Sequence, residues 1–258
     1  VVLLAVVIVG NTAISPYFLD IYNLSDATYN FSEKAIVALA MALLILVREI
    51  DLSVAAIIAL ASLAIGLAAQ AGAGLPVLLL IGPLVGAACG AFNGFLVTRI
   101  ALPSIVVTIG TMSLFRGLAQ VVLGDQAITQ YPKNLTAIGQ SYLIKWPPLP
   151  YSFVIFLALA VIFAVVLHKT ALGRKPYAIG NNPVAARFSG IPVDRIRFML
   201  FVLTGLLAGL AAVLLTARIG STRPNIALGW ELEIITAVIL GGVSIVGGSG
   251  TIPGVVLA

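Results

Sequence analysis

Long runs of apolar residues, separated by short polar stretches, dominate the hydropathy pattern of this chain. A helix that crosses the roughly 30 Å hydrocarbon core of a bilayer needs about 20 apolar residues. The pattern therefore predicts an all-α, polytopic transmembrane bundle of about nine spans, the ninth beginning near Ile252. The other predicted spans are Val1–Leu19, Lys34–Val47, Leu52–Ala71, Leu75–Val97, Ser104–Leu123, Tyr151–His168, Phe198–Ala217 and Trp230–Val246.

The two ends of the chain lie inside such runs. It begins at Val1 without Met, and it stops at Ala258 in an apolar stretch. We therefore expect residues 1–258 to form a single transmembrane domain that is cut within its first and its last span.

Composition excludes several other classes of protein. Hydrophobic residues make up 61% of the chain and charged residues 9%, far from the balance of a soluble domain. The net charge of +5 comes without a basic stripe, so we expect no nucleic-acid partner. The single cysteine, Cys89, excludes an internal disulfide, and the single histidine, His168, has no second metal ligand nearby in sequence. No metal site is predicted.

Basic residues predict the orientation in the membrane. Alternating the predicted spans divides the connecting loops into two sets, one with eight Lys or Arg residues and one with five. The richer set is cytoplasmic by the positive-inside rule. Its basic residues are Arg48, Arg99, Lys169, Arg174, Lys175, Arg187, Arg195 and Arg197. We expect a multi-pass protein of the bacterial inner membrane.

A stripe of small residues predicts close helix packing. Gly82, Gly86, Gly90 and Gly94 recur every four residues and so share one helix face. A neighbouring backbone can approach such a face closely. Packing within one subunit is the simpler interpretation, and an interface between subunits is the alternative.

The longest cytoplasmic loop, residues 169–197, contains the signals of a short helix. Asn182 is a favourable N-cap, and Pro183 suits the first helical position. Gly190 can adopt the left-handed conformation that ends a helix. A helix this short is not stable alone, so we expect it to lie against its own chain or against a cytosolic partner.

This loop resembles the cytoplasmic coupling segment of ABC-importer permeases for monosaccharides, the family that imports ribose, xylose, rhamnose and the sugar-like autoinducer and is related to branched-chain amino-acid permeases. Motifs in the same order elsewhere support the resemblance. They are Ile50–Val54, Phe92–Val97, Leu102–Thr111, Arg116–Gly117, Leu172–Arg174, Ala237–Gly242 and Gly247–Gly250. Ala55 departs from the family, which usually has Gly there, and the family has about ten spans.

The resemblance implies a passive membrane subunit rather than an enzyme. It would pair with a second permease subunit, identical or not, and contact two cytosolic ATPases, membrane lipid and a periplasmic sugar-binding protein. ATP and Mg²⁺ would bind the ATPases, leaving no cofactor on this chain, and a small sugar would cross. The residues implied in coupling are Gly180, Asn181, Asn182, Pro183, Ala185, Ala186, Arg187, Phe188, Ser189 and Gly190.

Polar residues within the spans are candidates for the substrate pathway. Arg116 lies at membrane depth, where charges are usually functional, although snorkelling toward the outer surface is an alternative. Its candidate ionic partners are Asp125, Glu231 and Glu233. Among the carboxylates, Asp51 is expected to cap the following helix. The pathway candidates are Asn93, Thr108, Thr111, Arg116 and Glu231.

Three function classes compete on this sequence. An ABC permease for a monosaccharide is the leading hypothesis, and a branched-chain amino-acid permease is a related alternative. An ion-coupled secondary transporter would need paired carboxylates at broken helices, whereas the acids here cluster at span ends. An intramembrane enzyme has no supporting group of residues. The chain lacks a Gly-x4-Gly-Lys-Ser/Thr sequence, so it does not supply the ATPase.

Overall fold

Helices make up most of the chain. The structure is a computed structural model that describes the backbone of residues 2–258 and the side chains of residues 6–258, so Val1 of the predicted first span lies outside the described residues. The elements within this part are α1 Val2–Ile14, α2 Ile21–Leu46, α3 Val54–Gln70, α4 Leu75–Thr98, α5 Ser104–Leu123, α6 Lys133–Gln140, β1 Tyr142–Lys145, β2 Pro148–Pro150, α7 Tyr151–Lys169, α8 Ala171–Asn181, α9 Pro183–Phe188, α10 Val193–Ile219, α11 Trp230–Leu240 and α12 Ile252–Val256.

The helices long and apolar enough to cross a membrane are α2, α4, α5, α7 and α10, five in the described part of the chain. A sixth apolar helix, α3, is shorter, at 17 residues. The prediction of a polytopic helical membrane protein is confirmed by these helices. The count of about nine spans is not.

The helix that contains the predicted short span Lys34–Val47 is longer than expected, because α2 begins at Ile21. Asp20 caps it, accepting a hydrogen bond from the Tyr22 amide at 2.8 Å. The 26 residues of α2 extend about 39 Å, more than the hydrocarbon core requires. The polar first half of the helix therefore projects beyond the membrane, which is why the hydropathy pattern placed it in a loop. Similarly, α10 begins at Val193, ahead of the expected Phe198.

The predicted span Trp230–Val246 is also wrong. α11 ends at Leu240, and its 11 residues extend only about 16 Å, too short to cross. Glycines with positive φ then reverse the chain, among them Gly242, Gly247 and Gly248. A helix does begin at Ile252, as expected, and α12 covers five residues.

The glycine stripe of α4 lies against α10. A Cβ added at Gly86 would overlap the carbonyl oxygen of Gly205, and one at Gly209 would overlap that of Gly82. Gly90 has the same relation to the Phe201 carbonyl. The two backbones therefore touch along the stripe, and this packing is internal to the chain. With α2 and α3, α10 forms the most buried part of the bundle.

A small cap closes the end of the bundle opposite the Lys- and Arg-rich loops. The strands β1 and β2 form an antiparallel hairpin there. Ser25 of α2 donates a hydrogen bond to the Pro148 carbonyl at 2.6 Å. Gln140 of α6 donates to the Arg218 carbonyl at 3.0 Å, and Arg218 forms an ion pair with Glu33 at 2.8 Å. These contacts hold the outer ends of α2, α6 and α10 together.

Candidate functional site: a coupling segment and an outer cavity

Residues 180–190, which we call the coupling segment after the role that the resemblance implies, contain the short helix that the sequence predicted. The Asn182 side-chain oxygen accepts hydrogen bonds from the amides of Val184 at 3.1 Å and Ala185 at 3.0 Å. Gly190 has φ +78°, and the next amide, of Ile191, returns to the Ala186 carbonyl at 3.0 Å. Both ends of α9 are thus satisfied by local hydrogen bonds, as a six-residue helix requires.

The surface of α9 is exposed and partly apolar. Phe188 has 89% of its area accessible, and Val184 has 62%. Arg187 forms an ion pair with Asp194 at 2.8 Å, and Asp194 lies in the first turn of α10. This pair joins α9 directly to a long span.

Hydrogen bonds connect the beginning of the coupling segment to the turn after α2. Arg48 donates from Nε to the Gly180 carbonyl at 2.6 Å and from NH2 to the Asn181 carbonyl at 2.9 Å. The Gly248 amide donates to the Leu46 carbonyl at 3.0 Å. The turn after α11 therefore joins the same cluster. Residues distant in sequence thus meet at the end of the bundle that carries the Lys- and Arg-rich loops, which we call the cytoplasmic end after the orientation that those loops predict.

Tyr177 of α8 adds a further link, because its hydroxyl donates to the Gly250 carbonyl at 2.7 Å. Burial raises the pKa of this hydroxyl above its ordinary value. Tyr177 was not singled out from the sequence. Its contact with Gly250 spans 73 positions along the chain, so no local sequence pattern predicts this hydrogen bond.

Two buried carboxylates, Glu49 and Asp51, lie in the α2–α3 turn. Glu49 approaches Arg197 of α10 with 3.1 Å between Oε1 and Nε. Burial raises the pKa of the Glu49 carboxyl, and the hydrogen bond with Ser104 and the charge of Arg197 oppose that rise. Because Arg197 belongs to α10, this pair gives α10 a second connection at its cytoplasmic end.

Asp51 is fully buried and organises the turn. It accepts from the amide of Ser53 at 2.8 Å and from its hydroxyl at 2.6 Å, while Asn93 of α4 donates to Ser53 at 2.8 Å. Burial raises the Asp51 pKa. The N-cap residue of α3 is Ser53, two positions later than the expected Asp51. Thr108 donates to the Ile50 carbonyl at 3.4 Å, so it and Asn93 both support this turn.

The second polar region is a cavity of about 560 Å³ at the outer end of the bundle. We call it the outer cavity. It lies between the end of α5 and the segment that precedes α11. Its polar lining residues are Arg116, Gln120, Asp125, Gln126, Arg223 and Asn225. Arg223, Gln126 and Asn225 were not selected from the sequence, because polar residues in a loop give no signal of their own.

Arg116 borders this cavity and is fixed by backbone groups. Its NH1 donates to the Pro224 carbonyl at 2.8 Å and to the Ile226 carbonyl at 3.1 Å. The three carboxylates expected as partners behave differently from one another. Asp125 lines the cavity, and Glu233 pairs with Lys34 instead.

Glu231, the third, stands in the first turn of α11, where the helix dipole favours a negative charge. Its Oε2 is buried and has no hydrogen-bond partner among the described residues. Glu231 and Arg116 form no ion pair within 4 Å. Thr111 is buried and donates to the Thr108 carbonyl at 3.4 Å, within α5. The structure thus places Arg116 at the outer cavity and leaves Asn93, Thr108 and Thr111 in the helix packing.

No group of three or more His, Cys, Asp or Glu side chains suited to a metal occurs among the described residues. His168 instead accepts a hydrogen bond from the Ile252 amide at 3.3 Å. It therefore joins the end of α7 to the start of α12.

Comparison with known proteins identifies the family. A family model described as "Branched-chain amino acid transport system / permease component" matches residues 23–258. The chain is 38% identical over 239 residues to the autoinducer 2 import system permease protein LsrC of Yersinia enterocolitica, an alignment covering 92% of this chain and 66% of that protein. It is 37% identical over 262 residues to the corresponding LsrD protein of Escherichia coli K12, covering 99% of this chain and 78% of that protein.

The chain thus spans just under two thirds of the Yersinia relative. No solved structure matches it. The relatives and the apolar helices identify a multi-pass protein of the inner membrane. The resemblance to sugar-type ABC-importer permeases is confirmed, and the chain belongs to the permease-component family of branched-chain amino acid transport systems.

Proposed function

We propose that this chain is the membrane subunit of an ATP-driven importer for a small, hydroxyl-rich molecule of monosaccharide size. The exposure of Phe188 on a short, well-capped helix at the cytoplasmic end is the observation that carries this proposal. Aromatic side chains are typical anchors of protein interfaces. An aromatic side chain that is 89% exposed, on a helix joined to a span by an ion pair, suits the docking of a cytosolic ATPase.

The contacts around α9 give the docking helix a route to the membrane. Arg187 links α9 to α10, Arg48 links the start of the segment to α2, and Glu49 links the α2–α3 turn back to α10. Displacement of α9 would therefore move the ends of both long helices together. Rigid-body motion of packed helices is a common form of such transitions. ATP and Mg²⁺ belong to the ATPase in this scheme, and this chain contributes no catalytic residue.

The outer cavity suits the entry of a polyol. Its volume lies within the roughly 300–1,000 Å³ typical of small-molecule sites, and its lining mixes cationic, anionic and amide side chains. Such a lining offers both donors and acceptors to sugar hydroxyls. A periplasmic binding protein would deliver the substrate at this end.

The substrate is proposed from the relatives, whose names specify autoinducer 2, a sugar-like molecule. A pentose or deoxyhexose is the broader class. A branched-chain amino acid is the second candidate, because the family description names that substrate. Uptake of labelled autoinducer 2, ribose and leucine, measured side by side, separates these candidates.

The experiment that tests the coupling proposal uses the full-length permease, with its ATPase and binding protein, in proteoliposomes. We expect Phe188→Asp to abolish both substrate uptake and the stimulation of ATP hydrolysis by loaded binding protein. Ile100→Asp, at a half-exposed position of the α4–α5 loop outside the coupling segment, is the matched control and should preserve both. Normal uptake by the Phe188 variant would refute the role of α9. Uptake that persists without ATP would refute the importer class.

A further inference from the structure

An open groove lies at the cytoplasmic end, between α7, α8 and α10, with α2 behind it. Its volume is about 480 Å³. Three of its apolar side chains, Ile162, Leu172 and Met199, are more than half exposed. The transmembrane helices α7 and α10 form its walls, so hydrocarbon is the natural filling at this depth.

Two cations line the same groove. Lys175 comes from α8 and Arg195 from the first turn of α10. Neither forms a salt bridge with a carboxylate in the described part of the chain. The acidic residues near them are already engaged, since Asp194 pairs with Arg187 and Glu49 with Arg197. The groove therefore combines an apolar wall with unmatched positive charge.

We propose that this groove binds an anionic phospholipid of the cytoplasmic leaflet. One acyl chain lies against the apolar wall, and the phosphate lies between Lys175 and Arg195. A soluble anion would leave the wall uncovered, and an apolar protein segment would leave both charges unmatched. Basic pockets between helices on the cytoplasmic side are suited to anionic headgroups. The proposal is independent of which molecule the permease transports.

A lipid in this position would reinforce the attachment of α8. Gly173 already packs so closely on the Leu167 carbonyl that a Cβ there would overlap it. The bound lipid would bridge α8 to α10 on the other side of this corner. Because α8 leads directly into the coupling segment, the lipid would help to fix the position of α9.

Fluorescence quenching by brominated lipids tests the proposal. The variant Met199→Trp places a fluorophore on the groove wall, in the intact chain in mixed micelles. We measure the fluorescence that the introduced tryptophan adds to that of Trp146 and Trp230. We expect brominated phosphatidylglycerol to quench this added fluorescence more strongly than brominated phosphatidylcholine does. Two cations predict a preference of roughly 25-fold in apparent affinity, about fivefold for each. Ile105→Trp, at an exposed position near the same end of α5, should show no preference beyond that of the bulk surface.

Charge variants complete the test. Adding Lys175→Gln and Arg195→Gln to the groove variant should abolish the preference, whereas Lys133→Gln and Lys145→Gln, in the outer cap, should leave it unchanged. Equal quenching by the two lipids before any charge is removed would overturn the headgroup assignment. Absence of quenching by either lipid, with Ile105→Trp still quenched, would show that protein fills the groove and would overturn the proposal entirely.

Discussion

Replacement of Gly86 by alanine tests the close contact between α4 and α10. The added Cβ would overlap the Gly205 carbonyl oxygen and would lie 2.8 Å from the Gly209 amide nitrogen and 2.9 Å from its Cα. All three are backbone atoms, which cannot relieve the overlap by a change of rotamer as a flexible side chain can. The two helices must therefore move apart, and the neighbouring contacts along the stripe must weaken with them.

The expected magnitude follows from overpacking against a rigid surface, which costs about 1–3 kcal/mol. Contacts with the backbone of two α10 residues, Gly205 and Gly209, favour the upper part of that range, about 2–3 kcal/mol. The matched control is Gly110→Ala in α5, because a Cβ at Gly110 has nothing within 4 Å. Both variants share the gain of up to about 1 kcal/mol from the better helix propensity of alanine. Their difference therefore isolates the packing penalty.

Thermal unfolding of both variants in the same detergent measures this difference. A penalty of 2–3 kcal/mol corresponds to roughly 4–12 °C between the two midpoints for a chain of this size. We expect Gly86→Ala to unfold at the lower temperature. Equal midpoints would refute the contact and would return the stripe to the alternative of a subunit interface.

Three further outcomes are expected. Asp51→Asn should flatten the pH dependence of stability, because burial raises the Asp51 pKa and the folded chain therefore loses stability as pH rises through that raised value. The unfolding midpoints measured at pH 5 and pH 7.5 should lie closer together in the variant than in the unaltered chain. An unchanged difference between the two midpoints would contradict this role of Asp51. Asn182→Ala should remove about 1 kcal/mol from α9 and reduce uptake while global unfolding hardly changes; a cooperative loss of the whole fold would contradict a local role. Arg197→Met should destabilise the chain by about 3 kcal/mol because it leaves Glu49 buried and unpaired, and adding Glu49→Gln should recover part of that loss, as a double-mutant cycle would measure.

Local signals made α9 predictable from the sequence. Its cap, its first-position proline and its terminal glycine all act within a few residues of the helix, so they can be read without the rest of the fold. The glycine stripe that contains Gly86 was equally predictable, because helical periodicity places its four glycines on one helix face. What that face touches needed the structure.

Long-range contacts explain what could not be predicted. The first half of α2 is polar, and hydropathy cannot distinguish a polar helix outside the membrane from a loop. The reversal after α11 depends on glycine backbone angles that hydropathy does not report. Asn93 contacts the Asp51 turn across 42 positions, and Arg116 contacts backbone carbonyls more than 100 positions away. Their polar character was visible in the sequence, but their partners were not.

The length of α10 gives it the properties of a lever. Its 27 residues extend about 40 Å, from the ion pair of Asp194 at one end to that of Arg218 at the other. A tilt of about 5° over that length displaces the far end by roughly 3–4 Å, more than a hydrogen bond can stretch. The Arg218–Glu33 pair would thus have to break or follow when α9 is pushed. The outer cap could therefore sense, mechanically and without any diffusing messenger, what happens on the opposite side of the membrane.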